Sequence, residues 1–194
     1  MPDDDVAHAL RPCRPLHADK LEMIRCSSAL VPVPPVPDGY RLRMLAVGEE
    51  PLYAALYTLR FRDGSRLDEM PGKTLPAGCF VVEHMASDRL VASCRAYHGI
   101  GRPRHPGGGQ LAWLVADPAH GGKGLGTIVA AAVTNRLADE GYERPFLRTE
   151  DARIRAISIY LRLGWQPDLP TLDMRERWDR VFAALGLAGE RTFG

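Results

Sequence analysis

The chain has 194 residues, 25 Lys and Arg against 24 Asp and Glu, a net charge of +1, and 45% hydrophobic and 25% charged residues. That is an ordinary globular balance, enough for one well-buried domain with a short appendage. It lacks the overall basic signature of a general nucleic-acid binder. No apolar run reaches the ~18–20 residues of a membrane-spanning helix, and the acidic start Met1-Pro2-Asp3-Asp4-Asp5 is unlike a signal peptide. A soluble, cytoplasmic protein with neither nucleic acid nor membrane as partner is expected.

Residues 1–37 form an extension. Ala18 to Leu30 has room for a short helix or strand that docks on the domain. Val31-Pro32-Val33-Pro34-Pro35-Val36-Pro37 predicts an extended, polyproline-like linker, because its prolines fix φ and remove backbone donors. Residues 38–175 carry the regular pattern. Tyr40 to Leu45 alternates as a strand, and Glu49 to Leu59 has helical spacing with Pro51 in its first turn. A long polar loop is expected over 60–76. Cys79–His84 and Leu90–Tyr97 predict a hairpin, Gly99–Gly109 a second loop, and Gln110–Ala116 a strand buried on both faces.

A glycine-rich turn leads into a helix ending near Glu140, with Gly141 as its stop. Phe146–Thr149 follows as a strand, Ala152–Leu163 as a helix closed by Gly164, and a short strand starts at Trp165. Residues 176–194 hold most of a last amphipathic helix, Met174 to Leu185, and the tail. Trp178, Val181, Phe182 and Leu185 lie on one side of that helix, ready to pack on the domain or on a second copy in a homodimer. The fold class is α+β: a mostly antiparallel sheet with one strand-loop-helix-strand crossover.

The four cysteines, Cys13, Cys26, Cys79 and Cys94, show no C-x-x-C pair, and the six histidines are scattered, so no structural metal is expected. Buried, reduced thiols are predicted, with Cys94 a candidate for the wall of a cleft.

The chemistry concentrates in Asp117-Pro118-Ala119-His120-Gly121-Gly122-Lys123-Gly124-Leu125-Gly126. Glycine lets a ligand approach bare backbone. The first N–H groups of a helix lack intrahelical partners and favour an anion, a phosphate or pyrophosphate above all. Lys123 adds positive charge. The spacing is neither a P-loop, since Gly124 follows the lysine where Ser or Thr is needed, nor a G-x-G-x-x-G dinucleotide turn.

This stretch resembles the acyl-CoA-binding motif of GNAT superfamily N-acetyltransferases, Arg/Gln-x-x-Gly-x-Gly/Ala. A second motif of that family, A-x-x-x-Y ending in Gly-Phe/Trp, is matched by Ala156, Tyr160, Gly164 and Trp165. The resemblance spans roughly 39–170 and implies a twisted sheet with splayed central strands. It further implies acetyl-CoA as cosubstrate, an amine acceptor of a small molecule or protein, and direct attack. Leu114, Val115 and Ala116 would line the pantetheine arm through their backbone. The amides of Gly121, Gly122, Lys123, Gly124, Leu125 and Gly126, with Thr127, would hold the pyrophosphate. Tyr160 would protonate the leaving thiolate, and Ala156 would sit beside the cosubstrate.

The sequence departs from the family pattern at three places. Gly121 replaces the Arg or Gln of the turn, Gln110 stands where histone-type relatives carry a glutamate base, and Arg153 stands where many relatives have Asn. Arg153 is open to a CoA phosphate or to solvent. The base is left among Glu83, His98, Glu150, Asp151 and water. These departures keep two alternatives in view, a catalytically weak acyl-CoA-binding or regulatory module and an unrelated interaction domain. The loops over 60–76 and 99–109 would flank the cleft and select the acceptor.

Overall fold

The computed structural model describes residues 20–61, 67, 71–102 and 104–187. Cys13 and residues 62–66 and 68–70 of the loop expected over 60–76 lie outside them. The elements in chain order are β1 (Leu21–Ile24), β2 (Tyr40–Met44), α1 (Glu50–Thr58), β3 (Thr74–His84), β4 (Arg89–Arg102), β5 (His105–Ala116), α2 (Leu125–Asp139), β6 (Phe146–Thr149), α3 (Ile154–Arg162), β7 (Gln166–Asp168) and α4 (Leu172–Ala184). The seven strands form one sheet in the order β2-β3-β4-β5-β6-β1-β7. Only β5 and β6 pair in parallel; every other neighbouring pair is antiparallel. The α+β class and the single crossover through α2 are therefore as the sequence predicted.

The helix α2 covers one face of the sheet. Val129, Val133 and Leu137 are fully buried, and the run Ala130-Ala131-Ala132 lets the helix axis lie close to the strands. Burying each of the larger side chains is worth about 1.5–3 kcal/mol. Trp165, also buried, donates its indole N–H to Thr134 Oγ1 at 3.1 Å and ties the end of α3 to α2. The other face carries a smaller cluster in which Tyr53, Leu56 and Tyr57 of α1 pack on Val81, Tyr97, Ala112 and Val115.

Of the two forms left open for the segment before the prolines, the structure has the strand, and it enters the sheet between β6 and β7, antiparallel to both. Leu21 and Met23 are buried there, and the buried Arg25 donates from Nε to the carbonyl of Leu163 at 3.2 Å, closing the end of α3. The Pro-rich stretch is extended but is no free spacer. Val31 exchanges two hydrogen bonds with the Asn135 side chain of α2, at 2.8 and 2.9 Å, and Val31 and Val36 pack on the core.

Gly99–Gly109 is not a loop: β4 and β5 continue through it as a two-stranded ribbon to Arg102 and His105. The glycines serve close approach there. A Cβ at Gly109 would stand 2.5 Å from the Tyr142 ring, and one at Gly108 would stand 3.1 Å from Phe146. The last helix places Trp178 and Val181 in the chain's own core, with Phe182 and Leu185 packed against it. The buried guanidinium of Arg177 grips Asp151 through Nε at 3.0 Å and Nη2 at 2.5 Å. Cys79 and Cys94 are buried thiols as expected, whereas Cys26 is exposed.

Candidate active site

The turn after β5 begins with an internally bonded unit. Asp117 Oδ1 accepts from the amide of Ala119 at 2.9 Å, and the carbonyls of Asp117 and Pro118 accept from the amides of His120 and Gly121, each at 3.0 Å. Beyond it Gly122 and Gly124 adopt φ of +78° and +73°, a region that costs L-residues strain. Gly124 is the N-cap of α2 and brings no side chain to cap it. Its carbonyl accepts from Thr127 at 2.9 Å and Ile128 at 3.1 Å.

Of the predicted set of amides, those of Gly121 and Thr127 donate inside the protein, while those of Gly122, Lys123, Gly124, Leu125 and Gly126 donate to no described residue. Lys123 is exposed beside them. Gly126 also serves packing: a Cβ there would stand 3.4 Å from Ile159 Cδ1 and 3.9 Å from the Ala116 Cβ.

Upstream of this turn the sheet opens. The β5 and β6 strands pair only at Gln110–Phe146 and Leu111–Leu147, then part although both continue. Across β4, Ser93 faces Val115 and Arg95 faces Ala112, so β5 carries one extra residue in between. Trp113 takes the strain of that bulge with φ of +54°. Its indole is held edge-on against Phe61 at 4.9 Å and Tyr57 at 5.4 Å, which pins the distortion in place.

The opening is a cleft of about 990 Å³. Of the predicted cosubstrate residues, Leu114, Val115, Ala116, Gly126, Arg153, Ala156 and Tyr160 line it. Gly121, Gly122, Lys123 and Gly124 of the turn, and Leu125 and Thr127 at the start of α2, lie outside its lining. Gln110 lines the cleft at the branch point.

Burial pushes the Tyr160 phenol well above the ordinary tyrosine range, with Cys94 adding to the rise and Arg153 opposing it. Tyr160 is therefore protonated at neutral pH and a weaker acid than a free tyrosine. Cys94 is wholly buried and does not line the cleft.

Of the candidate bases only His98 lines the cleft. Glu83 is turned to the sheet edge, where Arg43 Nε and Arg41 Nη2 donate to its Oε2 at 2.7 and 2.8 Å and hold its carboxyl below the usual range. Burial acts to raise Glu150, but Arg153 and Lys20 outweigh it and the group lies below its usual value. Asp151 is held by Arg177. Arg153 is a paired cation at the cleft wall. It gives two hydrogen bonds to Glu150, at 3.0 and 3.1 Å, and its guanidinium carbon lies 5.3 Å from the centre of the Phe61 ring.

Several contributors escaped sequence reasoning. Phe61 and Trp113 wall the cleft, and Lys20 reaches it from the residue before β1. Arg95 lies buried next to it in an otherwise apolar strand, an oddity the sequence did display.

Elsewhere Glu22, His105 and Asp168 bring their ligand atoms within 4.8 Å of one another. Arg104 pairs with both carboxylates, Arg148 stands 3.3 Å from Glu22, and Arg144 stands 3.9 Å from Asp168, so these acids already have cations beside them. Among the described residues no helix is long and apolar enough to cross a membrane.

Comparison with known proteins gives concordant results. Residues 48–165 match the family model described as "Acetyltransferase (GNAT) family". Mycothiol acetyltransferase of Salinispora arenicola is 32% identical over 155 residues, which is 74% of this chain and 50% of the relative, so the chain spans about half the length of that protein. A GCN5-related N-acetyltransferase from Sphaerobacter thermophilus superposes with a TM-score of 0.56 at 16% identity, over 77% of this chain and 49% of that one. Another from Kribbella flavida does so with a TM-score of 0.54 at 23% identity, over 78% and 55%. These two structures share the fold.

Proposed function

The chain belongs to the acetyltransferase (GNAT) family, and on that premise we propose that it transfers the acetyl group of acetyl-CoA to a primary amine of a small molecule or protein by direct attack. The observation that carries this reading is the parting of β5 from β6 after Leu111, together with a bare-amide turn at the far end of β5. Phosphates of the cosubstrate are received by the amides of Gly122 to Gly126 and by Lys123. The pantetheine arm then runs along Leu114, Val115 and Ala116 toward the thioester.

The acceptor nitrogen attacks the thioester carbonyl, the C–S bond breaks, and the thiolate leaves. Holding both reactants in one cleft supplies much of the rate. Tyr160 donates a hydrogen bond, and finally the proton, to the departing sulfur. With its phenol raised and a thiol near ~8.5, this transfer is not driven downhill, so most of its benefit is stabilisation of charge. The amine must shed its own proton, and His98 or water receives it. The Lys and Arg side chains around the cleft favour the neutral amine over its ammonium form, which eases that loss. The reading includes a reducing, cytoplasmic setting, supported by the unpaired Cys26, Cys79 and Cys94.

The test is thiol release from acetyl-CoA across a panel of amines, with calorimetric titration of CoA beside it. Binding with amine-dependent release is expected. Binding without release from any amine would replace this reading with that of a CoA-binding module, and no binding would remove both.

A further inference from the structure

Resting on the acetyl-transfer reading, we propose that the acceptor is an amine that also carries a carboxylate, and that Arg95, assisted by Arg60, sets this preference at the α1 end of the cleft. Arg95 is 6% exposed. Its guanidinium carbon lies 4.1 Å from the centre of the Tyr53 ring, Nη1 donates to Thr74 Oγ1 at 3.0 Å, and Nε is buried with no acceptor. No described carboxylate pairs with it. A guanidinium keeps its charge in any protein setting, and a buried charge ordinarily has a counter-ion. Among the described residues the neighbouring acids do not provide one. Burial pushes the Tyr53 phenol up to about 12 and the Cys79 thiol up to about 11, so both are neutral at working pH.

The position of this charge relates it to the cleft. Ala112, its cross-strand partner, and Tyr97, two residues along β4 on the same face, both line the cavity. The field of Arg95 reaches the cavity through protein, which screens it far less than water does. The described lining adds Lys20, Arg60, Lys73, Arg148, Arg153 and Arg155 and contains no Asp or Glu.

The two walls differ in how this charge is compensated. On the α3 side, Lys20 and Arg153 share Glu150, and Arg148 stands 3.3 Å from Glu22. On the α1 side, Arg60 has no carboxylate partner among the described residues. The phosphates of the cosubstrate do not answer this charge, because the glycine turn follows Ala116, on the order of 13 Å further along β5 than Ala112. A negative group on the acceptor does. A carboxylate fits best: the adjoining wall of Phe61 and Trp113 is apolar, and the field of one buried guanidinium, with Arg60 beside it, matches a monoanion.

The experiment uses amines matched in all but charge, free amino acids against their carboxamides. Two readouts are taken: kcat/KM from thiol release, and calorimetric binding of the N-acetylated acid or amide to the CoA-loaded protein. The acid is expected to win by about 10-fold or more in both, as an unpaired charge close behind the wall implies. Arg95→Met should erase the ratio with acetyl-CoA affinity unchanged, and Arg95→Lys should restore part of it. Should Arg95→Met not fold, the exposed Arg60→Gln is expected to cut the ratio about three-fold. Equal use of acid and amide overturns the inference and leaves acetyl transfer standing. Preferential binding of the acid without turnover of any amine overturns acetyl transfer and leaves the anion preference standing.

Discussion

At the α2 end the cleft meets main chain. Gly122 and Gly124 take left-handed conformations, the amides around them donate to no described residue, and one exposed cation, Lys123, stands beside them. At the α1 end it meets side chains: Phe61 and Trp113 interlocked edge to face, Tyr97, and a buried guanidinium resting on Tyr53. Backbone donors are the same in any chain that makes the turn, so they suit a ligand shared by many proteins. Side chains differ from chain to chain, so our proposal puts the choice of acceptor at the opposite end. The difference teaches where each kind of substitution should act.

The largest effect is expected from Gly124→Val. A β-branched residue at φ +73° is strained by about 1–3 kcal/mol, which favours a backbone that no longer presents the adjacent amides together. CoA affinity measured by calorimetry should fall about 30- to 100-fold, while binding of an N-acetylated amino acid at the other end changes little. A CoA affinity within two-fold of wild type would break the division between the two ends. Tyr160→Phe lies between them and should lower kcat about 10- to 100-fold with the CoA affinity intact. The raised phenol argues for the lower part of that range. Turnover equal to wild type would remove Tyr160 from the chemistry.

The same contrast explains what could be read from the sequence. A backbone site announces itself locally, because left-handed positions call for glycine and the following helix shows its own periodicity; Gly121 to Gly126 and α2 were legible for that reason. Even there the internal bonds of Gly121 and Thr127 were hidden, since they depend on how Pro118 and Gly124 place their carbonyls.

A site made of side chains is assembled from distant segments. Phe61, Tyr97 and Trp113 have no common spacing, and α1 has to be folded onto β4 before they meet. The choice between helix and strand for β1 stayed open for a similar reason: it is four residues long, and its partners Phe146–Thr149 and Gln166–Asp168 lie more than a hundred residues away. Glycine misled at 99–109, where it serves close strand approach to Tyr142 and Phe146 while composition suggested a loop.

The smallest expected effect probes what holds the side-chain end together. Arg43 is shared by two carboxylates: its Nε donates to Glu83 at 2.7 Å, and its two Nη atoms donate to Glu49 at 2.6 and 2.7 Å. Glu49 is the N-cap of α1, so this arginine ties the helix that carries Tyr53 and Tyr57 to the β2–β3 edge. Arg43 is the first cause holding both carboxyls below their usual values, with Arg41 adding to it at Glu83 and the Ala46 amide at Glu49.

Groups depressed in the folded state stabilise it above the unfolded carboxyl value, near ~4.3, and lose that contribution as pH falls through the folded value. Arg43→Met should therefore cost about 1–3 kcal/mol in urea unfolding at pH 7, less than a fully buried pair because these groups are partly exposed. The gap to wild type should close as the pH is lowered through the range in which Glu49 and Glu83 take up protons. A gap of constant size across that range would mean that the arginine's stem, and not its charge, secures α1. The α1 end would then depend on packing in the same way as the α2 face.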